Sequence, residues 1–544
     1  MSRALALLAV LVALPVSSAA AETTPGIAVT GSIPERGVVS AKPVGNLLYV
    51  SSLSGITIFD IADARNPVRV GRLDLPHVQN EDVDVGSGIL LVTDDPFGGR
   101  GVLHVVDVRD PANPRVVGRL ATWARGLANP FAAPARRGIG HTVSCIDDCR
   151  WAWLAGSSAG IDIVDLRDPA NPRIARRFAA KEAAGIFGTH DVQVDGEGLA
   201  WVAGSNGTAA YDTSDPLRPR LVHRTNRKGA VGPYNDFIHH NSQRIRPDVV
   251  AITEEDFGRS GCRRAGTLQT WRIRGNRRLR PLDTFAVERD ARSQVACSAH
   301  YFDTRDGLIV QGFYEQGVRF VDASRPGRLT QVGYHIPDPS MFWGALFAPT
   351  DPTGSTVYAL DHARGIEILS VDRAALRPVT RRGATRPPRR VNAGVAMAIE
   401  DGFDAVRAGQ RLTYRLIAFG RGRADVSVTL PPELVDVRPP AGTRYDPATR
   451  VLTYSYPRLR STARKRLRAR VAPGTAIGTP VELVGYAVTA NDPMPIDDRG
   501  VDRAVVSRRA QSDGAVEFGA ASASASSAAP RLGFCRLPLP RGAL

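Results

Sequence analysis

The sequence lacks the short motifs of several large enzyme classes. It contains no phosphate-binding loop and no dinucleotide-binding fingerprint, and its one Gly-x-Ser-x-Gly match, at 156–160, stands between two strand-like runs rather than before a helix. These features argue against serine-hydrolase and nucleotide-dependent chemistry. After the first sixteen residues, no apolar run is long enough to span a bilayer. We therefore expect a protein without a transmembrane segment.

Lysine is scarce, which bears on the formal net charge of +16. Nearly all of the cations are arginine, and the excess is concentrated around Arg373–Arg390 and Arg458–Arg470. A bias toward arginine across a whole chain is more typical of genome composition than of a nucleic-acid binding patch. We expect no nucleic-acid partner, whereas attraction to an anionic cell-wall polymer or to lipid headgroups stays open.

The first 21 residues have the pattern of a secretory signal peptide. Arg3 precedes an apolar run that ends at Val16, and small residues lead to Ala21 and Glu22. A membrane anchor is the alternative, but a run of about thirteen apolar residues is too short to cross a bilayer. We expect cleavage after Ala21 and a mature protein, expected to be monomeric, that is secreted or associated with the cell envelope.

The chain has only five cysteines, and export makes them interpretable. In an oxidising compartment we expect two disulfides, Cys145–Cys149 and Cys262–Cys297, with Cys535 left over. A metal site at Cys145 and Cys149 is the alternative. No second cysteine pair completes the usual zinc pattern, so the disulfide is favoured.

One phrase recurs seven times along the chain. Each copy has a glycine, an alternating strand, an aspartate or its equivalent, a turn that usually contains proline, and another strand. The copies begin at Gly55, Gly101, Gly160, Gly207, Gly266, Gly317 and Gly365. We interpret each copy as a two-stranded hairpin preceded by two more strands. Four strands in roughly 45 to 60 residues form the unit of a propeller blade, and a solenoid is the alternative.

The sequence therefore predicts an all-β fold, with a seven-bladed β-propeller over residues 27–375 followed by a small β-sandwich. The alternating piece Ile27–Thr30 is the candidate for a strand that pairs with the last blade. The phrases GIDIVDL and VLHVVDV resemble the strand after which the LVIVD-repeat family is named. This resemblance covers about residues 35 to 375, and it implies a fold rather than an activity.

Histidines recur where the innermost strand of each blade begins. Four consecutive blades carry one there, in the phrases GHTVSC, THDVQVD, FIHHNSQ and CSAHYFD. Propeller geometry places these starts together at one end of the central channel. The residues are His141, His190, His240, which follows His239, and His300. At the same position the other blades offer His77 or Glu81 and, in the last blade, Trp343.

Loops at the same end add carboxylates and a phenol. They contain Asp94 and Asp95, then Glu254, Glu255 and Asp256, then Tyr314 and Glu315, and finally Asp361 and His362. Several imidazoles beside carboxylates are ligands for Zn, Cu, Mn or Fe. The expected ligands are His141, His190, His240 and His300, with Glu254 or Glu255 as a further ligand or general base. Asp191 and Asn241, next to two of these histidines, could orient them.

A purely structural role for these histidines stays open. Propellers often place a polar residue at the start of the inner strand, where it forms a hydrogen bond to the neighbouring blade. His104, His223 and His335 lie at scattered positions and are interpreted as ordinary partly buried histidines.

The rest of the chain divides into three parts. Residues 376–390 are rich in arginine and proline and are interpreted as a solvated linker. Alternation resumes over 391–506, where the strand pattern resembles the Ig-like conserved-repeat modules of bacterial surface proteins. Residues 507–544 include a run of alanine and serine and are expected to be disordered.

We therefore expect an exported binding protein whose histidine- and carboxylate-lined channel mouth holds a transition metal ion. Its partner would be an extracellular ligand or a component of the cell envelope. The alternative is a metal-dependent oxidase or hydrolase acting at that mouth, with catalytic residues that the sequence does not identify.

Overall fold

The computed structural model is all-β, with forty strands and no α-helix in the residues that it describes. Over the same ranges, no helix has the length and apolar character needed to cross a membrane. The described residues are 21–35, 37–75, 77, 82–94, 101–121, 140–157, 160–178, 186–225, 239–255, 266–275, 278–288, 290, 297–338, 340–383, 395–489 and 498–512. The predicted signal peptide and most of the predicted tail thus lie outside the described residues.

The chain begins with two strands that join later sheets, β1 (Glu22–Thr23) and β2 (Ile27–Ile33). Three four-stranded antiparallel sheets follow, each made of consecutive strands. Sheet 1 contains β3 (Val38–Val44), β4 (Leu47–Ser52), β5 (Gly55–Asp60) and β6 (Val68–Asp74). Sheet 2 contains β7 (Asp84–Gly86), β8 (Ile89–Asp94), β9 (Val102–Asp107) and β10 (Arg115–Ala121). Sheet 3 contains β11 (Val143–Ile146), β12 (Trp151–Ser157), β13 (Gly160–Asp165) and β14 (Arg173–Phe178).

Four more sheets continue the same pattern. Sheet 4 contains β15 (Phe187–Val194), β16 (Leu199–Ser205), β17 (Gly207–Asp212) and β18 (Arg220–Arg224). Sheet 5 contains β19 (His239–Arg246), β20 (Val249–Glu254), β21 (Leu268–Arg272) and β22 (Arg280–Phe285). Sheet 6 contains β23 (Phe302–Arg305), β24 (Leu308–Gly312), β25 (Val318–Asp322) and β26 (Thr330–Ile336), and the N-terminal β1 pairs with β26 as a fifth strand. Sheet 7 contains β27 (Phe342–Phe347), β28 (Thr356–Asp361), β29 (Gly365–Val371) and the N-terminal β2.

Consecutive sheets pack face to face through apolar side chains. Buried clusters lie between each sheet and the next, and one of them joins sheet 7 to sheet 1. The first strand of each sheet contacts the first strand of the next, and β27 contacts β3. This arrangement of four-stranded sheets is a β-propeller.

The repeated aspartates shape the turns of the hairpins. In the second copy, the Asp110 carboxylate accepts a hydrogen bond from the backbone N–H of Ala112 at 3.1 Å and another from Asn113 Nδ2 at 2.8 Å. Such side-chain to backbone bonds stabilise a tight turn. The aspartates that the sequence repeats are therefore structural.

Close approach of neighbouring backbones explains the glycine that begins each copy. Gly55 has a φ of +144°, and a Cβ there would lie 2.1 Å from the carbonyl oxygen of Leu73 on the adjacent strand. A second glycine is needed between sheets, because a Cβ on Gly71 would lie 1.8 Å from the carbonyl oxygen of Pro111. Any larger residue would push these strands or turns apart.

The seventh copy is not a hairpin, contrary to the prediction for all seven. Its return strand is replaced by β2, which pairs antiparallel with β29 from Ile27 opposite Val371 to Ile33 opposite Ile366. The predicted pairing of the N-terminal strand with the last sheet is thus present. Residues 372–375 form a turn, and no strand follows before residue 383. Burial of Ile27 in the cluster between sheets 6 and 7 favours this arrangement.

The described part of the predicted linker is exposed or partly exposed except at Arg381. Arg381 is buried, and its guanidinium lies 2.7 Å from Glu22, 2.6 Å from Glu288 and 2.7 Å from Asp290. A buried guanidinium needs such compensation. The prolines and arginines of this segment suggested solvent exposure, but the three carboxylates that bind Arg381 are distant in sequence.

The C-terminal part is a β-sandwich around one apolar cluster. One sheet contains, in spatial order, β30 (Val395–Glu400), β32 (Arg411–Gly420), β37 (Thr462–Val471) and β34 (Leu434–Arg438). The other contains β35 (Arg444–Asp446), β36 (Val451–Leu459), β33 (Gly422–Thr429), β38 (Pro480–Val488), β39 (Arg499–Val506), β31 (Phe403–Val406) and β40 (Gln511–Ser512). Because β40 pairs with β31, the start of the predicted disordered tail belongs to the sandwich.

Candidate metal centre

Four histidines are placed by the beginnings of four successive inner strands. His141 lies just before β11, His190 lies in β15, His240 is the second residue of β19, and His300 lies just before β23. Since these strands are neighbours in the propeller, the four imidazoles meet. Ring centroids are 4.3 Å apart for His141 and His190, 4.7 Å for His190 and His240, and 4.1 Å for His240 and His300.

The Glu255 carboxylate lies among these rings, directly after the second strand of sheet 5. Its Oε2 is 2.8 Å from His190 Nε2 and 3.8 Å from His240 Nε2. Its Oε1 is 3.4 Å from His300 Nε2. His141 Nε2 is 3.3 Å from His190 Nε2. We call these five residues the His/Glu cluster.

Two further contacts orient the His/Glu cluster. The Tyr314 hydroxyl donates a hydrogen bond to Glu255 Oε1. His300 Nδ1 lies 2.7 Å from the carbonyl oxygen of Trp343, which can only accept, so Nδ1 carries the proton. Tyr314 has a φ of +44°, an uncommon conformation for a non-glycine residue.

The His/Glu cluster is buried. His240 and His300 have no exposed side-chain surface, Glu255 retains 2% and His190 retains 10%. Among the described residues, ligand atoms of His190, His240 and Glu255 all lie within 4.8 Å of one another, a grouping that could hold a metal ion. A carboxylate enclosed this deeply needs positive charge nearby.

Other predicted site residues have different surroundings. The Glu254 carboxylate accepts a hydrogen bond from Thr267 Oγ1 at 2.7 Å. His239 Nδ1 lies 2.9 Å from Thr208 Oγ1, and burial lowers the pKa of His239 to about 3. His77 uses both ring nitrogens, each at 2.6 Å, for Ser51 Oγ and for the Leu75 carbonyl. Glu81, Asp95 and Asp256 lie outside the described residues.

Asp191 and Asn241, which could orient their neighbouring histidines, contact each other: Asn241 Nδ2 donates to Asp191 Oδ2 at 3.4 Å. Nearby, Gln193 Nε2 donates to Asp82 Oδ2 at 2.7 Å. Burial raises the pKa of Asp82 well above the usual carboxyl value.

Asp94 binds the sandwich rather than the His/Glu cluster. Its Oδ1 is 3.5 Å from Arg499 Nη1, and its Oδ2 accepts a hydrogen bond from Arg503. Burial acts to raise the pKa of Asp94, but the attraction of Arg503 and Arg499 outweighs it and holds the pKa far below the usual carboxyl value. Sequence reasoning missed this contact because about 400 residues separate the partners, with no motif linking them.

The cysteine predictions agree with the described residues where they can be compared. Cys145 and Cys149 form a disulfide with their Cα atoms 4.4 Å apart, so the alternative metal site at this pair is wrong. Cys297 is also disulfide-bonded. Cys262, its predicted partner, and Cys535 lie outside the described residues.

Comparison with known proteins finds distant similarity in structure. No protein-family model matches the chain, and no curated protein matches it. The β-propeller domain of Cps50 (Swd1) from Myceliophteria thermophila is similar at 12% identity and a TM-score of 0.42, covering 63% of this chain and 99% of that one. The N-terminal domain of Nup159 is similar at 11% identity and a TM-score of 0.41, covering 65% and 98%. We draw no argument about activity or partners from these similarities.

Proposed function

We propose that this chain is a metal-binding β-propeller protein, in which the His/Glu cluster holds one transition metal ion. One observation carries the proposal: a buried carboxylate, Glu255, has Nε2 atoms of three histidines from three different sheets within 3.8 Å. Imidazole nitrogens with a single carboxylate suit Zn, Cu, Mn or Fe.

The separations between the donor atoms support this proposal. Two ligands that each lie about 2.1 Å from an ion are about 3.0 Å apart at a right angle and about 3.4 Å apart at the tetrahedral angle. The measured separations within the His/Glu cluster are 2.8, 3.3, 3.4 and 3.8 Å. Of these residues, His190, His240 and Glu255 have ligand atoms that all lie within 4.8 Å of one another, so these three could bind one ion.

The tautomer of His300 also supports a cation. Because Nδ1 donates to the Trp343 carbonyl, a neutral His300 directs the lone pair of Nε2 toward Glu255 Oε1. A lone pair and a carboxylate repel each other at 3.4 Å unless a positive charge lies between them or one of the two groups takes a proton. A metal ion supplies that charge and uses the lone pair as a ligand.

A histidine network that only joins neighbouring sheets is the structural alternative. The contact between His141 and His190 fits it, since one ring can donate to the other across 3.3 Å. It leaves the Glu255 charge to be balanced by imidazolium ions instead of a metal ion, so it predicts a protein that binds no metal at this site.

A metal-dependent oxidase or hydrolase is the second candidate function. The observation that favours it is the hydrogen bond from Tyr314 to Glu255, because a phenol beside a metal-bound carboxylate can transfer a proton. Turnover by metal-loaded protein that is lost in Tyr314→Phe, with metal content unchanged, would favour this candidate over simple binding.

Family and location are parts of the same proposal. We propose that the repeats are of the LVIVD type and that the sandwich is Ig-like, on the sequence patterns described above. We also propose export and residence at the cell surface or beyond it. The Cys145–Cys149 disulfide supports export, since disulfides persist in oxidising compartments.

Elemental analysis of the purified full chain tests the metal proposal. About one transition metal ion per wild-type chain is expected, with loss of the metal in Glu255→Gln and in the double variant His190→Ala, His300→Ala. His223→Ala is the control, because His223 lies in β18, the last strand of sheet 4. Absence of metal after incubation with Zn, Cu, Mn and Fe salts in turn, with unchanged thermal stability in Glu255→Gln, would overturn the proposal.

A further inference from the structure

An unusual concentration of arginine lies on one face of the four-stranded sheet of the sandwich. In β37 the inward residues Leu467, Ala469 and Val471 belong to the apolar cluster, so the alternate residues face outward. Outward arginines of the sheet, which we call the arginine face, are exposed or partly exposed: Arg411, Arg415, Arg438, Arg464, Arg466, Arg468 and Arg470.

Like charges face each other across this sheet. The strand pairing places Arg411 opposite Arg470, and Arg415 opposite Arg466. It also places Arg438 opposite Arg468. Directly opposed side chains of this kind are about 4.5–5.5 Å apart at Cβ, and like charges there destabilise a sheet. Arginines placed opposite arginines do not stabilise the sheet. We therefore interpret their arrangement as a binding surface for a partner.

Few acids compensate the arginine face. Glu400 binds Arg415 at 2.7 Å, and Asp436 binds Arg470 at 2.7 Å. The other five arginines make no ion pair with a described residue: Arg411, Arg438, Arg464, Arg466 and Arg468. The face therefore presents a surplus of five positive charges.

We propose that the arginine face binds a linear phosphate polymer, specifically a phosphodiester-linked polyol or sugar chain such as those of cell envelopes. Arginines at every second residue of β37 are about 6.7 Å apart. They form a straight row about 20 Å long from Arg464 to Arg470. Guanidinium groups bind phosphate oxygens in pairs, which suits a row of singly charged diesters.

The composition of the arginine face separates this partner from two others. Single-stranded nucleic acid is bound on exposed aromatic rings that alternate with cations, and no fully exposed aromatic side chain lies among these arginines. Amphipathic membrane-binding surfaces place apolar side chains beside their cations, and none of the large exposed apolar residues of the described chain lies on this face. The inference is independent of the metal proposal.

Binding of the full chain to purified poly(glycerol phosphate) at several salt concentrations tests the inference. We expect salt-sensitive binding, weakened at least tenfold in the triple variant Arg464→Gln, Arg466→Gln, Arg468→Gln. The slope of log affinity against log salt should fall by about two. The control triple variant, Arg218→Gln, Arg325→Gln, Arg328→Gln, removes the same charge from exposed turns of the propeller and should bind like wild type.

Thermal unfolding shows whether the triple variants are still folded. Removal of like-charge repulsion should leave the melting temperature of the Arg464, Arg466, Arg468 variant unchanged or raise it. Equal binding by the two triple variants would overturn the inference, as would absence of binding to the polymer. Tighter binding to a single-stranded oligonucleotide, or binding only to vesicles of phosphatidylglycerol, would assign the face to those partners and also overturn it.

Discussion

Asp94, the last residue of a propeller strand, and Arg503, in the C-terminal sandwich, form a buried ion pair. Arg499 lies on the other side of the same carboxylate, with 1% of its side chain exposed. Asp94 retains no exposed surface. The two domains are therefore joined by charges that neither domain could bury without the other.

Asp94→Ala should weaken this junction strongly. Removal of Asp94 leaves Arg499 and Arg503 with only the partly exposed Glu482 as a partner, and loss of one partner of a buried ion pair typically costs about 3–5 kcal/mol. We expect a lower melting temperature in calorimetry, with separate transitions for propeller and sandwich. Asp74→Ala is the control, because Asp74 pairs with Arg72 but is 87% exposed, so its loss should have little effect. Equal shifts for the two variants would contradict this prediction.

Tyr314→Phe should weaken metal binding by the His/Glu cluster. The hydroxyl holds Glu255 in place, and loss of a partner that orients a ligand commonly lowers metal affinity about 10- to 100-fold. Competition with a chelator measures this affinity. Tyr358→Phe is the matched control, since it removes a buried hydroxyl that donates at 2.8 Å to the Ala64 carbonyl, away from the cluster.

Metal binding by the wild type tests the proposed function, whereas the effect of Tyr314→Phe tests the orienting role of Tyr314. If wild-type protein binds no metal, the proposed function fails. If wild type and Tyr314→Phe hold metal with the same affinity, the function stands and the orienting role of Tyr314 is wrong.

Asp361 should make stability depend on pH between about pH 4 and pH 6. Burial raises its pKa from 3.8 to about 6, although the backbone N–H groups of Met341 and Ala363 oppose the shift. The folded state thus holds a proton that the unfolded state releases in this window, so the free energy of unfolding falls as the pH rises. The shift corresponds to about 3 kcal/mol at most.

Asp361→Asn should remove this part of the pH dependence. Urea unfolding of wild type and variant at pH 4, 5, 6 and 7 measures it, and the difference between the two curves isolates Asp361 from other titrating groups. An unchanged difference in stability between the proteins across this range would show that Asp361 does not titrate in it.

Ile27→Ala should destabilise the propeller by about 2–4 kcal/mol, because Ile27 is buried in the cluster between sheets 6 and 7. Val29 lies in the same strand but is 47% exposed, so Val29→Ala should change stability by less than about 0.5 kcal/mol. Chemical unfolding compares the two. Similar losses would mean that the strand contributes through its backbone pairing with β29 rather than through this buried side chain.

Much of the propeller was predictable because its determinants are local and repeated. Gly55 avoids a clash with a carbonyl oxygen on the adjacent strand, and Asp110 stabilises its own turn. Because these requirements are local, glycine and aspartate recur at the same positions in successive copies. The convergence of His190, His240 and His300 was also predictable, since radial repetition turns equivalent positions into neighbours.

The errors concern contacts between residues with no common repeat position. The seventh copy was predicted to form a hairpin with the residues that follow it, whereas the N-terminal β2, named as a candidate partner of the last blade, occupies that edge. Arg381 was expected in solvent, although three carboxylates surround it.

The sequence by itself determined the fold class, the repeat, the Cys145–Cys149 disulfide and the four histidines that meet, because each depends on spacing within a repeat or on residues close in the chain. Only the tertiary structure decided that Glu255 rather than Glu254 enters the His/Glu cluster, and that Asp94 binds Arg499 and Arg503. Those outcomes depend on side-chain direction and on the packing of distant segments, which a linear pattern does not contain.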